Sequence, residues 1–206
     1  MFGFAEVSLG NISRIVRGAS PRPIKNYLTK DSNGVNWIKI GDVKPNSKYI
    51  NSTLEKITYE GSLKSRSVKK GDFILSNSMS FGRPYILNID GCIHDGWLAI
   101  SDFENYFISD YLFHLLNSND IQFEMKKRAS FGGAVQNLNA DIVRNLVLTV
   151  PTIEKQKEIV RVLDKFDLLC GSITEGIPAE IELNQKRYEY YRDRLLTFKE
   201  KGVVNE

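Results

Sequence analysis

The sequence predicts an α+β fold, a mixed α/β domain at residues 1–150 followed by a helical, coiled-coil-forming region at 151–206. Three observations lead there. Up to about residue 150, short β-type runs alternate with turn residues, and this part holds 17 of the 22 aromatic residues, sufficient for one compact core. Beyond Pro151 the apolar positions change to helical spacing. The last helical stretch carries a seam spaced 4, 3, 4, 3, 4, 3, formed by Ile177, Ile181, Asn184, Tyr188, Tyr191, Leu195 and Phe198.

Along the chain, the first thirty residues are basic. Between Glu6 and Asp31 no acid interrupts Arg14, Arg17, Arg22, Lys25 and Lys30. Candidate strands follow at 35–40 (VNWIKI), 72–76 (DFILS), 83–87 (RPYIL), 97–101 (WLAIS) and 147–150, with Gly34, Gly41, Gly61, Gly71, Gly82 and Gly91 punctuating the turns. One or two helices are predicted, most clearly around 110–128, from the spacing of Tyr111, Leu112, Leu115, Leu116, Ile121 and Met125. This stretch runs into KKRASFGGAVQNLN, where three cations precede a Gly-Gly pair. Cations, the Ser130 hydroxyl, the close backbone approach allowed by Gly132 and Gly133, and the Gln136 amide together suit a phosphate backbone with a base edge beside it. The plain alternative is a surface loop after a helix, with Lys126, Lys127 and Arg128 as a solvated last turn facing the helix dipole.

Past Pro151, Ile153, Ile159, Val160, Leu163, Phe166 and Leu169 or Cys170 mark a helix with Glu154 near its start. A second helix is predicted at 179–198, about 30 Å long at 1.5 Å per residue and therefore marginal alone. It needs a surface to pack on. An intramolecular hairpin with the preceding helix is one solution, and the heptad seam, with Asn184 able to fix register, points to a second copy as a further partner.

Charge is unevenly distributed. Residues 1–70 balance at +8, 71–124 at −7, 125–150 at +3 and 151–206 at −1. Basic charge in the first third and in the KKR segment is how a footprint for a polyanion looks if those segments meet in space. The residues do not supply catalytic machinery. There is no phosphate-binding loop motif and no Pro-Pro pair of the kind an amino-methyltransferase site contains, and the 2 histidines and 2 cysteines give no metal-ligand spacing. His114, in YLFHLLN, reads as a satisfied core or boundary histidine. His94-Asp95 is polar between apolar runs, with no companion nucleophile evident. No apolar stretch has the length of a membrane helix and no leader pattern is visible, so a cytoplasmic location is expected.

The residues also carry a resemblance. GVNWIKIGDV (34–43), VKKGDFILS (68–76), SFGRPYI (80–86), IHDGW (93–97), GGAVQNLN (132–139), LTVPTIEKQKEIVRVLDKFD (148–167) and EIELNQKRYEYYRDRLLTF (180–198) occur in this order. Together they resemble the specificity subunit of type I restriction-modification systems. The resemblance implies a non-catalytic target recognition domain at 1–150 and a helical conserved region at 151–206 that contacts methyltransferase subunits. It implies double-stranded DNA as ligand, with a bipartite target. Restriction subunits are implied as further partners, and S-adenosylmethionine, ATP and magnesium belong on the partner subunits, not on this chain. A family subunit has two recognition domains and two helical regions, whereas here there is one of each. This leaves a natural half-subunit, pairing as a homodimer, or a truncated one. A coiled-coil regulatory or subunit-exchange fragment without DNA recognition is the alternative function. Candidate DNA contacts are Arg17, Ser20, Arg22 and Lys25; Asn77, Ser78, Ser80 and Arg83; and Lys126, Lys127, Arg128, Ser130, Gly132, Gly133 and Gln136. Of these, Arg22, Asn77, Ser78, Arg83 and Gln136 have the donors and acceptors that read base edges.

Overall fold

The computed structural model describes residues 4–44, 47–78, 81–130, 137–172 and 178–197. The chain begins with β1 (Phe4–Ser8), α1 (Leu9–Ile12) and β2 (Arg14–Arg17), then β3 (Leu28–Thr29), β4 (Val35–Ile38), β5 (Tyr49–Ile50), β6 (Glu55–Ile57), α2 (Tyr59–Ser62) and β7 (Arg66–Val68). It continues through β8 (Phe73–Ser76), β9 (Pro84–Leu87), β10 (Gly91–Ile93), β11 (Trp97–Ser101), α3 (Ser109–Leu116), α4 (Asn119–Ser130), α5 (Ala140–Arg144) and β12 (Val147–Pro151). Two longer helices close the fold, α6 (Ile153–Ser172) and α7 (Pro178–Leu196).

The strands form three sheets. A central sheet has the order β2-β11-β8-β9-β5, an outer sheet the order β3-β6-β4-β10-β7, and β1 pairs antiparallel with β12. The three inner strands of the central sheet, β11, β8 and β9, are buried on both faces, and they therefore read as largely unbroken apolar runs rather than as alternating ones. Phe73 and Leu75 of β8, Ile86 of β9, and Leu98 and Ile100 of β11 pack on the helices. Their neighbours Ile74, Tyr85, Leu87, Trp97 and Ala99 pack instead with Ile38, Val68 and Ile93 of the outer sheet. This two-residue alternation produces a helix–sheet–sheet stack from runs as short as FILS and PYIL.

The predicted strands at 72–76, 83–87, 97–101 and 147–150 are present with ends shifted by at most one residue, and the run at 35–40 forms β4 but stops at Ile38. Of the one or two helices expected around 110–128, the structure has two. Ser118 accounts for the break: its hydroxyl donates to the Leu115 carbonyl and accepts from Ile121 N–H, closing α3 and capping α4. The strands β1, β2, β3, β5, β6, β7 and β10 were not expected: all but β1 are runs of two to four residues, too short to show a period, and β1, FAEVS, is interrupted by Glu6.

The helical region is fastened to the α/β core. Ile159, Val160 and Leu163 of α6 and Leu196 of α7 are buried in the same cluster as Phe73, Leu98 and Ile100. Gln156, fully buried, accepts from Ile108 N–H at 2.9 Å and donates to the carbonyls of Tyr106 and Pro151 at 2.7 and 3.0 Å. His114 is buried, with Nε2 3.3 Å from Asp164 Oδ1 on α6 and Nδ1 3.4 Å from the Tyr188 hydroxyl on α7. It is the satisfied boundary histidine expected. Tyr188 and Leu195 of the seam pack against this intrachain core, and Tyr191 stacks on Phe166 at 5.2 Å. Part of the seam read as a dimer contact is therefore occupied within the chain, because a helix of this length is held by the apolar surface beside it. Ile177 and Phe198 lie outside the described residues, as does the side chain of Ile181.

Candidate nucleic-acid interface

The basic N-terminal segment is carried over the β10–β11 turn by a close backbone crossing at Gly18. Gly18 N–H donates to the Trp97 carbonyl at 2.9 Å and Ala19 N–H to the Ile93 carbonyl at 3.2 Å. A Cβ at residue 18 would fall 2.1 Å from the His94 carbonyl oxygen, so only glycine permits the approach. The crossing sets the residues that follow β2 beside His94, Asp95 and Gly96.

Asp95 is the centre of what results. Its Oδ1 accepts from the Ser20 hydroxyl at 2.9 Å and lies 2.9 Å from His94 Nε2. Because His94 Nδ1 accepts from Gly96 N–H at 2.9 Å, the ring proton is placed on Nε2, facing the carboxylate. Oδ2 accepts from Arg22 Nη2 at 3.2 Å. The main-chain carbonyl of Asp95 accepts from Arg17 Nε and Asn77 Nδ2, both at 3.1 Å. Burial pushes the Asp95 carboxyl up, but the Ser20 hydroxyl, the His94 ring, a backbone amide and the Arg22 guanidinium outweigh it, and its pKa lies below the ordinary aspartate value. The group is an anion under neutral conditions, enclosed by donors.

The other two segments join here. Asn77 N–H donates to the Gly96 carbonyl at 3.1 Å, and the Asn77 carbonyl accepts from Leu138 N–H at 2.8 Å. At its far end the 76–83 loop meets α4, where Gln122 Nε2 donates to the Gly82 carbonyl at 3.0 Å. Gly82 has φ +70°, a conformation that favours glycine, and a Cβ there would lie 3.1 Å from Met125 Cε. The basic segment and the start of the 76–83 loop thus meet at Asp95, Leu138 joins them at Asn77, and the far end of the loop meets the middle of α4.

The predicted contact residues divide into distinct positions. Arg17, Arg22, Lys25 and Ser78 are exposed, and Ser20 is half-buried. Asn77 is a correction: at 4% exposure, with its amide given to Asp95, it holds the loop rather than offering an edge to solvent. Arg83 is half-buried, with its guanidinium 5.5 Å from the Tyr85 ring centroid. Lys126, Lys127 and Arg128 are exposed on α4, whose buried side is Met125 and Ala129. Arg128 is already engaged, donating from Nη1 to the Asn145 carbonyl at 2.8 Å and lying 3.3 Å from Glu124, while Lys127 Nζ is 3.8 Å from Glu124. Ser80, Gly132, Gly133, Gln136 and the Ser130 side chain lie outside the described residues. Two neighbours escaped the sequence reading. Asp95 shows in the sequence only as a polar residue between apolar runs, and Arg66, whose Nε donates to the Arg17 carbonyl at 3.4 Å, gives no local signal. Among the described residues no cluster of His, Cys, Asp and Glu is arranged to hold a metal ion, and no helix is long and apolar enough to cross a membrane.

Comparison with known proteins places this arrangement. Residues 1–183 match the model of the type I restriction modification DNA specificity domain. The chain is 33% identical to the EcoR124I/EcoR124II specificity subunit of Escherichia coli over 211 residues, covering 96% of the chain and 49% of that protein. It is 35% identical over 181 residues to a specificity subunit assigned to Haemophilus influenzae, S.HindORF215P, covering 86% of the chain and 44% of that protein. It thus spans about half the length of these relatives. The HsdS subunit from Thermoanaerobacter tengcongensis shares the fold with a TM-score of 0.66 at 18% identity, over 94% of this chain and 44% of that one. With its α/β core, its two closing helices and a match extending over residues 1–183, the chain belongs to the family of type I restriction modification DNA specificity domains.

Proposed function

We propose that this chain is a non-catalytic DNA-reading module that binds double-stranded DNA through the face around Asp95, the 76–83 loop and the end of α4. It directs methyltransferase and restriction subunits to a bipartite target in the cytoplasm. The observation that supports this most directly is the meeting of three segments, distant in sequence, that carry the basic and polar candidates. Arginines on such a face neutralise phosphates and read guanine edges. The S-adenosylmethionine, ATP and magnesium chemistry belongs to the partners.

One recognition domain reads one half-site, so two copies related by a two-fold axis would read a palindromic split target. With Tyr188 and Leu195 packed inside the chain and Tyr191 stacked on Phe166, the surface of α7 available to a second copy is its outward side, where Leu183 and Tyr190 are exposed. The test is binding of the chain, co-purified with the methyltransferase subunits of its system, to duplexes bearing randomised split half-sites. Enrichment of one bipartite sequence is expected, and the chain alone should neither methylate nor cut. Binding with no sequence enrichment would defeat the reading in favour of a regulatory fragment.

A further inference from the structure

A carboxylate at the centre of a surface meant for a polyanion is unfavourable for affinity, and that makes Asp95 informative. It repels phosphate, yet the chain commits a glycine crossing, a serine, a histidine tautomer and two arginines to it. We infer that Asp95 is a positioning residue for base recognition, holding the Arg22 guanidinium so that it reads one guanine in the half-site. This rests on the DNA-reading function proposed above and names the residue and base through which one position is read.

The geometry divides the two arginines cleanly. Arg22 is attached through Nη2 alone, and its side chain is 81% exposed while that of Asp95 is 32% exposed. Nη2 is a terminal nitrogen carrying two hydrogens, so this single contact leaves its second hydrogen and the Nη1 hydrogens for a ligand at an exposed side chain. The edge formed by Nη1 and that second Nη2 hydrogen matches the O6 and N7 acceptors of guanine, the commonest specific contact in the major groove. Unheld, the same side chain would have to be ordered on binding and would serve a phosphate equally well. Asp95 itself is immobilised, since Ser20 and His94 hold Oδ1 and the Asp95 amide donates back to the Ser20 hydroxyl at 3.3 Å. Arg17, by contrast, is bound through Nε to the main-chain carbonyl. Its support does not depend on the carboxylate.

The two supports make the test selective. Asp95→Asn keeps the carbonyl that supports Arg17 and removes the charge that holds Arg22. In the complex with methyltransferase subunits, binding to a duplex library with randomised half-sites should show guanine preference at a single position falling about tenfold or more, the scale of one lost bidentate contact. Other positions and the salt dependence should stay as in the parent. Arg22→Lys, which keeps the charge but not the fork, should affect the same position, and the double variant should be no worse there than Arg22→Lys alone. Ser20→Ala, which loosens the carboxylate without removing it, should weaken the same position by less and serves as the probe if Asp95→Asn fails to fold. The inference is overturned if Asp95→Asn, or Ser20→Ala in its place, lowers binding to all sequences equally with the base profile unchanged. It is also overturned if the affected position differs from that of Arg22→Lys, as it would were Asp95 itself the acceptor for a base amino group. Absence of any sequence preference in the parent complex would instead sink the DNA-reading function.

Discussion

Replacing Gln156 by methionine tests the junction between the α/β core and the helical region, because the change keeps volume and removes only hydrogen bonding. In the native fold one amide side chain serves three backbone groups, Ile108 N–H and the carbonyls of Tyr106 and Pro151. Each buried backbone group left without a partner costs about 1–3 kcal/mol. Tyr106 is exposed, so its carbonyl can take water, and the two remaining groups sum to about 2–6 kcal/mol. For a chain of 206 residues this corresponds to a fall in Tm of about 4–24 °C. Thermal and urea unfolding followed by circular dichroism measure it. Gln156→Glu keeps an acceptor for Ile108 but sets a carboxylate against two carbonyl oxygens. Its folded-state pKa should therefore be raised, making the variant least stable at neutral pH and progressively recovered as the pH falls and the acid gains a donating proton. A Gln156→Met protein within about 1 kcal/mol of the parent would refute the view that these bonds, and not apolar packing alone, fasten α6 to the core.

Further outcomes follow from the same structure. Changing Lys126, Lys127 and Arg128 to Gln should weaken binding to all sequences and reduce the magnitude of the log K versus log salt slope by at most about 2.7, at about 0.9 per phosphate. With Arg128 kept on Glu124 and Asn145 the reduction should be nearer 1.8, and an unchanged slope would remove this end of α4 from the interface. Burial pushes the Tyr111 phenol well above its ordinary value. Its contribution to stability is fully present below pH of about 10, where the unfolded tyrosine is also neutral, and is lost as pH rises beyond that. Spectrophotometric titration should show one tyrosine ionising only with unfolding; complete ionisation in the folded protein would contradict its packing. If α7 pairs through its outward side, Leu183→Glu with Tyr190→Glu should lower the mass seen by light scattering to that of one chain without lowering Tm, since both side chains are exposed. A parent already monomeric at working concentration would dispose of the dimer.

The order of elements was legible where the residues themselves carry the constraint. FIL, PYIL and WLAI are unbroken apolar runs because the inner strands of their sheet are covered on both faces, and Ile159, Val160 and Leu163 repeat at helical spacing because one side of α6 meets the core. The ordered motifs from GVNWIKIGDV to YEYYRDRLLTF were enough to indicate the family. What the sequence left open is what depends on distant residues being brought together. The seam on α7 looks like a dimer contact from its spacing, but Tyr188 and Leu195 meet an apolar surface of their own chain, and a heptad pattern does not say whose surface it faces. Asn77 resembles a base reader by residue type and is a buried brace by position. Asp95, one acid in a stretch of negative charge, becomes the centre of the candidate interface only because the backbone crossing at Gly18 lays Ser20 and Arg22 across it. A residue's chemistry is written in the sequence, whereas the partners that decide its role are supplied by the tertiary contacts.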